Sequence, residues 1–108
     1  MIARIWHGAT KRQDADAYEA MLKPELLPGI SKVRGYRSSY LLRKDGENEV
    51  EFITIMFWDS LDAIRAFAGP DFEASVIPEE RRKYLCHHDL RATHYEVVST
   101  HTAAADGS

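Results

Sequence analysis

His7, His88 and His94 are the side chains of this chain best suited to moving a proton. An imidazole titrates nearer neutral pH than other unperturbed side chains, so each is a candidate catalytic acid or base. The run Cys86-His87-His88-Asp89 puts four ligand-type residues in a row. Consecutive residues seldom converge on one ion, and no helix-spaced His or carboxylate pair accompanies them, so no metal centre is expected. Cys86 has no base and orienting group marked out beside it, which leaves a nucleophilic role without support. Arg4 can hold an acidic or phenolate oxygen of a ligand, or pair with a carboxylate of a partner subunit. Trp6 and Trp58 can stack on a planar substrate, or fill core and interface. Tyr40 and Tyr84 can donate to a ligand carbonyl or sit half-buried in the core. Met56, two residues before Trp58 on the same strand face, completes the candidate ligand contacts.

The elements that must position these groups are legible from periodicity and punctuation. Glu51 to Pro70, EFITIMFWDSLDAIRAFAGP, reads as a buried strand running into a helix. Phe52 to Trp58 are apolar except for Thr54, as in a strand covered on both faces. Asp59 and Ser60 are N-cap types, Leu61, Ile64, Phe67 and Ala68 form a stripe, and Gly69-Pro70 stops the helix. Before it, Ile2 to His7 reads as a strand. A helix follows with Ala15, Tyr18, Met21, Leu22 and Leu26 on one face, kinked at Pro24 and ended by Pro28-Gly29. Val33 to Arg43 reads as a second strand with a bulge at Gly35, and Lys44 to Glu47 as a hairpin turn in which Asp45-Gly46 accepts positive φ. Pro78-Glu79-Glu80 opens a short helix, and Asp89 to Val98 reads as the last strand.

The order is β-α-β-β-α-β, an α+β ferredoxin-like antiparallel sheet spanning one domain over 1–98, with a flexible tail over 99–108. Such a sheet covers one face with its helices. Both parities of the third strand are apolar, so the other face predicts a second subunit packed sheet to sheet. The alternative is that the segment around Phe72 to Leu85 folds over that face. If Ala3 and Ile5 face the helices, alternation puts Arg4 and Trp6 on the open face; which parity does so is left open.

Composition bounds the function. The 108 residues are 44% hydrophobic and 29% charged, with 14 Lys and Arg against 17 Asp and Glu for a formal charge of −3. That balance suits a soluble globular chain and offers no basic, aromatic-interleaved surface for nucleic acid. No apolar run approaches the roughly 20 residues that span a bilayer. The sequence begins directly with strand-like MIARIW, and a single cysteine excludes an internal disulfide framework, so a cytoplasmic protein is expected. No phosphate loop, nucleophile elbow or dinucleotide fingerprint occurs, and no flavin or nicotinamide cofactor is expected.

The opening MIARIWHG, the strand start Gly35-Tyr36-Arg37 with Leu41-Leu42-Arg43, the block FWDSLDAIRAFAG and the closing HYEV at His94 to Val97 are familiar together. Over residues 1–98 the chain resembles the antibiotic biosynthesis monooxygenase-like family of dimeric α+β barrels. The resemblance implies a homodimer whose sheets form a barrel, with a mostly apolar small-molecule pocket in each subunit between sheet and helices. It implies cofactor-independent oxygenation of a phenolic or polyketide-like substrate, which once deprotonated supplies electrons to O₂ itself. His7, His88 or His94 would accept the proton, while Arg4, Trp6, Tyr40, Met56, Trp58 and Tyr84 would contact the substrate. The family's heme-degrading branch needs an Asn on the first strand, a Trp in the second helix and a later His. Here the first strand has no Asn, and Phe67 and Ile77 stand at the other two positions, so heme degradation is disfavoured. A non-catalytic binding or stress-associated dimer, and a lyase or isomerase on the same fold, are the alternatives.

Overall fold

The computed structural model describes residues 1–104, and its architecture is organised by one strand, β1 (Ile2–Lys11). One edge of β1 pairs antiparallel along its whole length with β3 (Glu49–Trp58), from Ile2 opposite Trp58 to Lys11 opposite Glu49. The far edge of β3 carries β2 (Tyr36–Asp45) through the expected hairpin. The other edge of β1 is shared by two short strands. β4 (Leu85–His88) lies against Gly8 to Thr10, and β5 (Thr93–Glu96) lies against Ile2 to Ile5. Helices α1 (Ala15–Leu22) and α2 (Leu61–Ala68) follow β1 and β3, and α3 (Glu79–Arg82) precedes β4. The result is the α+β ferredoxin-like sheet, in the order β2-β3-β1 and then β4 with β5.

The final strand departs from the sequence expectation by arriving in two pieces. Residues 85–88, outside the expected strand, form β4, and 89–92, read as strand, leave the sheet. Asp89 causes the break. Its N–H bonds the His7 carbonyl (2.9 Å), while its carboxylate turns back to accept the His7 N–H (3.0 Å). The Asp89 carbonyl accepts the Trp6 indole N–H and the Ser75 hydroxyl instead of continuing a ladder.

Three other boundaries move for local reasons. α1 ends at Leu22, because Pro24 has no N–H with which to extend it. Leu26 and Ile30 still reach the core, through a turn at Gly29 with φ 78° and a 3₁₀ turn at Ile30–Lys32. β2 starts at Tyr36, and its irregularity falls between Tyr36 and Ser38 instead of at Gly35. Gly35 has φ 88°, and a Cβ there would sit 2.4 Å from the Ala63 Cβ, so it is the seat of α2 on the sheet. Gly46 is outside the left-handed region; its N–H closes the hairpin onto the Glu49 carbonyl (2.9 Å). α2 itself starts where Ser60 Oγ accepts the Ala63 N–H (3.1 Å) and stops at Gly69. Residues 99–104 carry no regular element. The rest of the expected tail lies outside the described residues.

The parity of β1, which its alternation leaves open, is settled by packing. Arg4 and Trp6 point to the helices, in line with Val50, Phe52, Met56 and Trp58 of β3, which form the core with Tyr18, Leu22 and Ile64. Ala3 and Ile5 lie on the other face, beside Ile53, Ile55 and Phe57. The segment after α2 packs on the helix side, where Val76, Ile77 and Pro78 meet Leu22 and Leu26. It leaves the opposite face uncovered, with Tyr40 61%, Tyr95 57% and Leu42 44% exposed upon it.

Candidate functional site

Between sheet and helices lies a cavity of about 50 Å³. β1 and β3 supply its floor through Arg4, Trp6, Thr54 and Met56, because alternate residues of adjacent strands share one face. Tyr18 and Leu22, one helical turn apart on α1, make one wall; Phe67, from the apolar stripe of α2, makes another. Val76, Ile77 and Pro78 cover it, and Arg81 of α3 closes the end.

The cover is fastened to the sheet by polar bonds at its first half. Arg4 donates to the Phe72 carbonyl and, at 3.0 Å, to the Ala74 carbonyl. The Trp6 indole N–H is shared between Ser75 Oγ and the Asp89 carbonyl, both at 2.9 Å. Backbone bonds join Ser75 to Leu90 (3.0 Å) and Ala92 to Glu73 (2.6 Å), and Arg91 grips Asp71 and Glu73 from outside. The second half, Val76 to Pro78, supplies the apolar underside.

Two cationic side chains are sealed into this lining. Arg4 is 4% exposed and Arg81 7%. Arg81 donates to the carbonyls of Leu26 and Met21, which tethers the chain after α1, and its Nε–H has no partner among the described residues. Burial alone holds the Arg4 guanidinium down at about 10. Burial likewise pushes the Tyr18 hydroxyl up to about 12 against the opposing charge of Arg81, so Tyr18 keeps its proton at neutral pH.

Of the residues singled out from the sequence, Arg4, Trp6 and Met56 come together in the cavity. Trp58 does not. It is fully buried behind the cavity wall, stacked on Phe67 (5.0 Å) with Tyr36 at its edge (5.5 Å), and its indole N–H has no partner among the described residues. Tyr40 stands on the open face against Phe57 (6.2 Å), because β2 pairs it with Ile55. Tyr84 packs on the core edge beside Tyr18 (6.5 Å), outside the cavity lining.

None of the three candidate histidines lines the cavity. His94 sits behind Arg4, its Nε2 2.9 Å from the guanidinium. A guanidinium only donates, so Nε2 accepts and the ring proton belongs on Nδ1, which is buried without a partner among the described residues. Desolvation first, and then the Arg4 charge, lower its pKa and favour the neutral ring. His88 flanks Trp6 (ring centroids 5.8 Å apart) and bonds the Asp89 carbonyl through Nδ1. His7 is exposed, its Nδ1 2.9 Å from Asp89 Oδ2. It opens, with His87 and His88, on a surface groove of about 500 Å³, where His87 meets Glu49 (2.9 Å). Cys86 is exposed, and among the described residues no three His, Cys, Asp or Glu side chains form a metal-holding group.

Sequence reasoning missed Tyr18, Phe67 and Arg81 as cavity residues. The first two carry the helical stripe and read as core, which they also are. Arg81 sits in Glu79-Glu80-Arg81-Arg82, which reads as a solvated face. Its burial follows from a four-residue helix docking on the chain after α1, and no periodicity announces that.

The sheet, with its helices on one face and a cavity between them, defines a ferredoxin-like α+β protein. No family model and no curated protein matches the sequence. Solved structures do. A candidate antibiotic biosynthesis monooxygenase from Bacillus cereus superposes with a TM-score of 0.66 at 17% identity, covering 94% of this chain and 97% of that one. The heme degrader MhuD from Mycobacterium tuberculosis, with two hemes bound in its active site, gives 0.61 at 18% identity, covering 94% and 100%. An arginine-to-serine variant of MhuD with two manganese protoporphyrins per active site gives 0.68 at 16%, covering 95% and 100%. At these identities the likeness is one of fold, and the chain folds as antibiotic biosynthesis monooxygenase-like proteins do.

At about 50 Å³ the cavity as it stands has no room for a heme; no His or Cys lines it, and Tyr18 and Met56 are the lining side chains with atoms that can ligate iron.

Proposed function

We propose that this protein is an antibiotic biosynthesis monooxygenase-like homodimer that binds a small planar organic molecule between sheet and helices and oxygenates it without a cofactor. One observation carries the reading: a cavity between sheet and helices walled by Trp6, Tyr18, Met56 and Phe67, in the fold of a candidate antibiotic biosynthesis monooxygenase. Aromatic walls offer a planar ligand large contact area with defined ring geometry. The cavity as it stands, about 50 Å³ and partly open, has room for a water or two. Ligand pockets run to roughly 300 Å³ and more, so a ligand enters by lifting the Val76–Pro78 cover. In the chemistry the substrate, once ionised, reduces O₂ itself, and the protein supplies orientation and a dry surrounding.

The uncovered apolar face of the sheet supports the homodimer, because a patch of this kind is what one monomer buries against another. Residues 1–98 would be its folding unit, and a reducing cytoplasm would keep the exposed Cys86 a thiol.

A second reading, a binding dimer without turnover, draws on the placement of the histidines: none lines the cavity, so no imidazole stands ready as base within it. Oxygen uptake decides between the two. With polycyclic phenols of two to four rings, an electrode should record consumption that stops in Met56→Trp, which fills the cavity. Ligand binding by calorimetry with no oxygen uptake above the uncatalysed rate would refute the oxygenase and leave the binding protein.

A further inference from the structure

Four arginines outside the core pair with carboxylates, while Arg12, Arg34 and Arg82 form no ion pair among the described residues. On the surface, Arg37 meets Asp59 (2.8 Å), Arg65 meets Asp62 (2.7 Å), Arg91 meets Asp71 and Glu73, and Arg43 meets Asp16, Glu19 and Asp45. Those carboxylates raise the pKa of Arg43 and Arg91. The two buried arginines are the reverse case. Arg4 and Arg81 both line the cavity, no Asp or Glu lines it with them, and among the described residues no carboxylate lies within ion-pair distance of either.

Buried charges are ordinarily paired, since an unpaired one forfeits its hydration. The carbonyls of Phe72 and Ala74 and the neutral His94 ring at Arg4, and the carbonyls of Leu26 and Met21 at Arg81, compensate with dipoles only. A glutamine or asparagine amide would satisfy such carbonyls without bringing a charge indoors. Tethering therefore explains the hydrogen bonds and leaves the two charges unexplained. The Arg81 Nε–H adds a buried donor that no described group uses, and Tyr18 adds a hydroxyl kept protonated in the same lining.

We propose that the cavity takes an organic anion, an apolar planar body bearing one carboxylate or phenolate-type oxygen centre, whose charge is met by Arg4 and Arg81. This rests on the pocket reading above and names its ligand class. The anion takes the place of the counter-charge the lining lacks, with Tyr18 able to donate a third hydrogen bond and Trp6, Met56 and Phe67 flanking the body. Arg4 also couples binding to access. The guanidinium that would receive the anion is the one now holding the Phe72 and Ala74 carbonyls of the cover, so ligand and closed cover compete for the same donors. For a phenol or enol, two cations in a low-dielectric cavity favour the ionised form, and the proton released goes to bulk water. The cavity's want of an imidazole is then no obstacle to forming the electron-rich anion.

The test compares charged and neutral isosteres on the intact protein: benzoate with benzamide and 2-naphthoate with 2-naphthamide, by isothermal titration at low salt. The carboxylate of each pair should bind at least about tenfold more tightly. Arg81→Gln should erase that preference while the amide's affinity holds, and circular dichroism reports whether the variant is folded. Because the comparison of isosteres is made on the unmodified protein, it stands even if the variant unfolds. Equal affinity within each pair, or tighter binding of the amides, overturns the anion inference and leaves the pocket. A carboxylate preference that survives in folded Arg81→Gln and in Arg4→Gln also overturns it, placing the anion elsewhere. Binding by none of the four compounds overturns the pocket reading, and this inference with it.

Discussion

His94 is a residue whose chemistry is set by its neighbours more than by its own type. It stacks edge-on against Phe72 (5.2 Å) and accepts a hydrogen bond from Arg4, and both desolvation and the Arg4 charge hold its pKa below the ordinary 6.5, with Glu73 opposing. A base with a lowered folded pKa takes up its proton less readily in the fold than in the unfolded chain. Its neutral form therefore costs nothing above the unfolded value. Stability falls as pH drops from about 6.5 toward the folded value, and no further below that. Urea melts of the unmodified protein should show this loss as pH falls below about 6.5. His94→Gln keeps an acceptor for Arg4 and should flatten the slope. An unchanged slope in that variant would mean that the sensitivity resides in another group.

At the scale of elements, the site depends on how α2 is seated, since Phe67 is both cavity wall and stacking partner of Trp58. Two contacts do the seating. Ser60 caps the helix onto Ala63 N, and Gly35 lets β2 begin beneath Ala63 while accepting the Asp59 N–H (2.8 Å). Ser60→Ala should lower stability by about 1 kcal/mol, the ordinary worth of an N-cap. Gly35→Ala should cost more, about 2 kcal/mol or above, because a Cβ meets both a left-handed backbone and the Ala63 methyl. Chemical denaturation of the two variants ranks them, and a Gly35→Ala protein as stable as Ser60→Ala would contradict the close approach. The same variant should also shift cavity binding, which a cap loss alone would do weakly.

For the whole molecule, the asymmetry between the two sheet faces is the dominant feature. The helix side is closed by α1, α2 and the segment through α3, while Ile53, Ile55, Phe57, Tyr40 and Leu42 remain on the other. No helix among the described residues is long and apolar enough to cross a membrane. If that face is the proposed homodimer contact, sedimentation of the unmodified protein should give twice the 12.3 kDa chain mass. Ile55→Glu, at the centre of the face, should then weaken association by about 100-fold or more, as a charge buried without a partner does. A monomer at high micromolar concentration would end the dimer proposal, yet would not touch the cavity on the opposite side.

Local rules carried much of this in the sequence alone. The run Phe52 to Trp58, the Ser60 and Gly69 boundaries of α2 and the strand-helix order are written in residue type and spacing, because capping, turn chemistry and apolar period act over a few residues. They were enough for the ferredoxin-like sheet, and they brought Arg4, Trp6 and Met56 forward as candidates. Tertiary structure decided what depends on distant partners. The direction of Arg4 and Trp6 turned on which parity of β1 met α1, and period-2 alternation leaves that choice open until packing makes it. The split of the last strand required the Asp89 carboxylate to find His7, 82 residues away in sequence. The burial of Arg81 required its carbonyl acceptor on Leu26, 55 residues back. Charge, in a sequence, signals solvent; only the folded contacts reveal a charge enclosed.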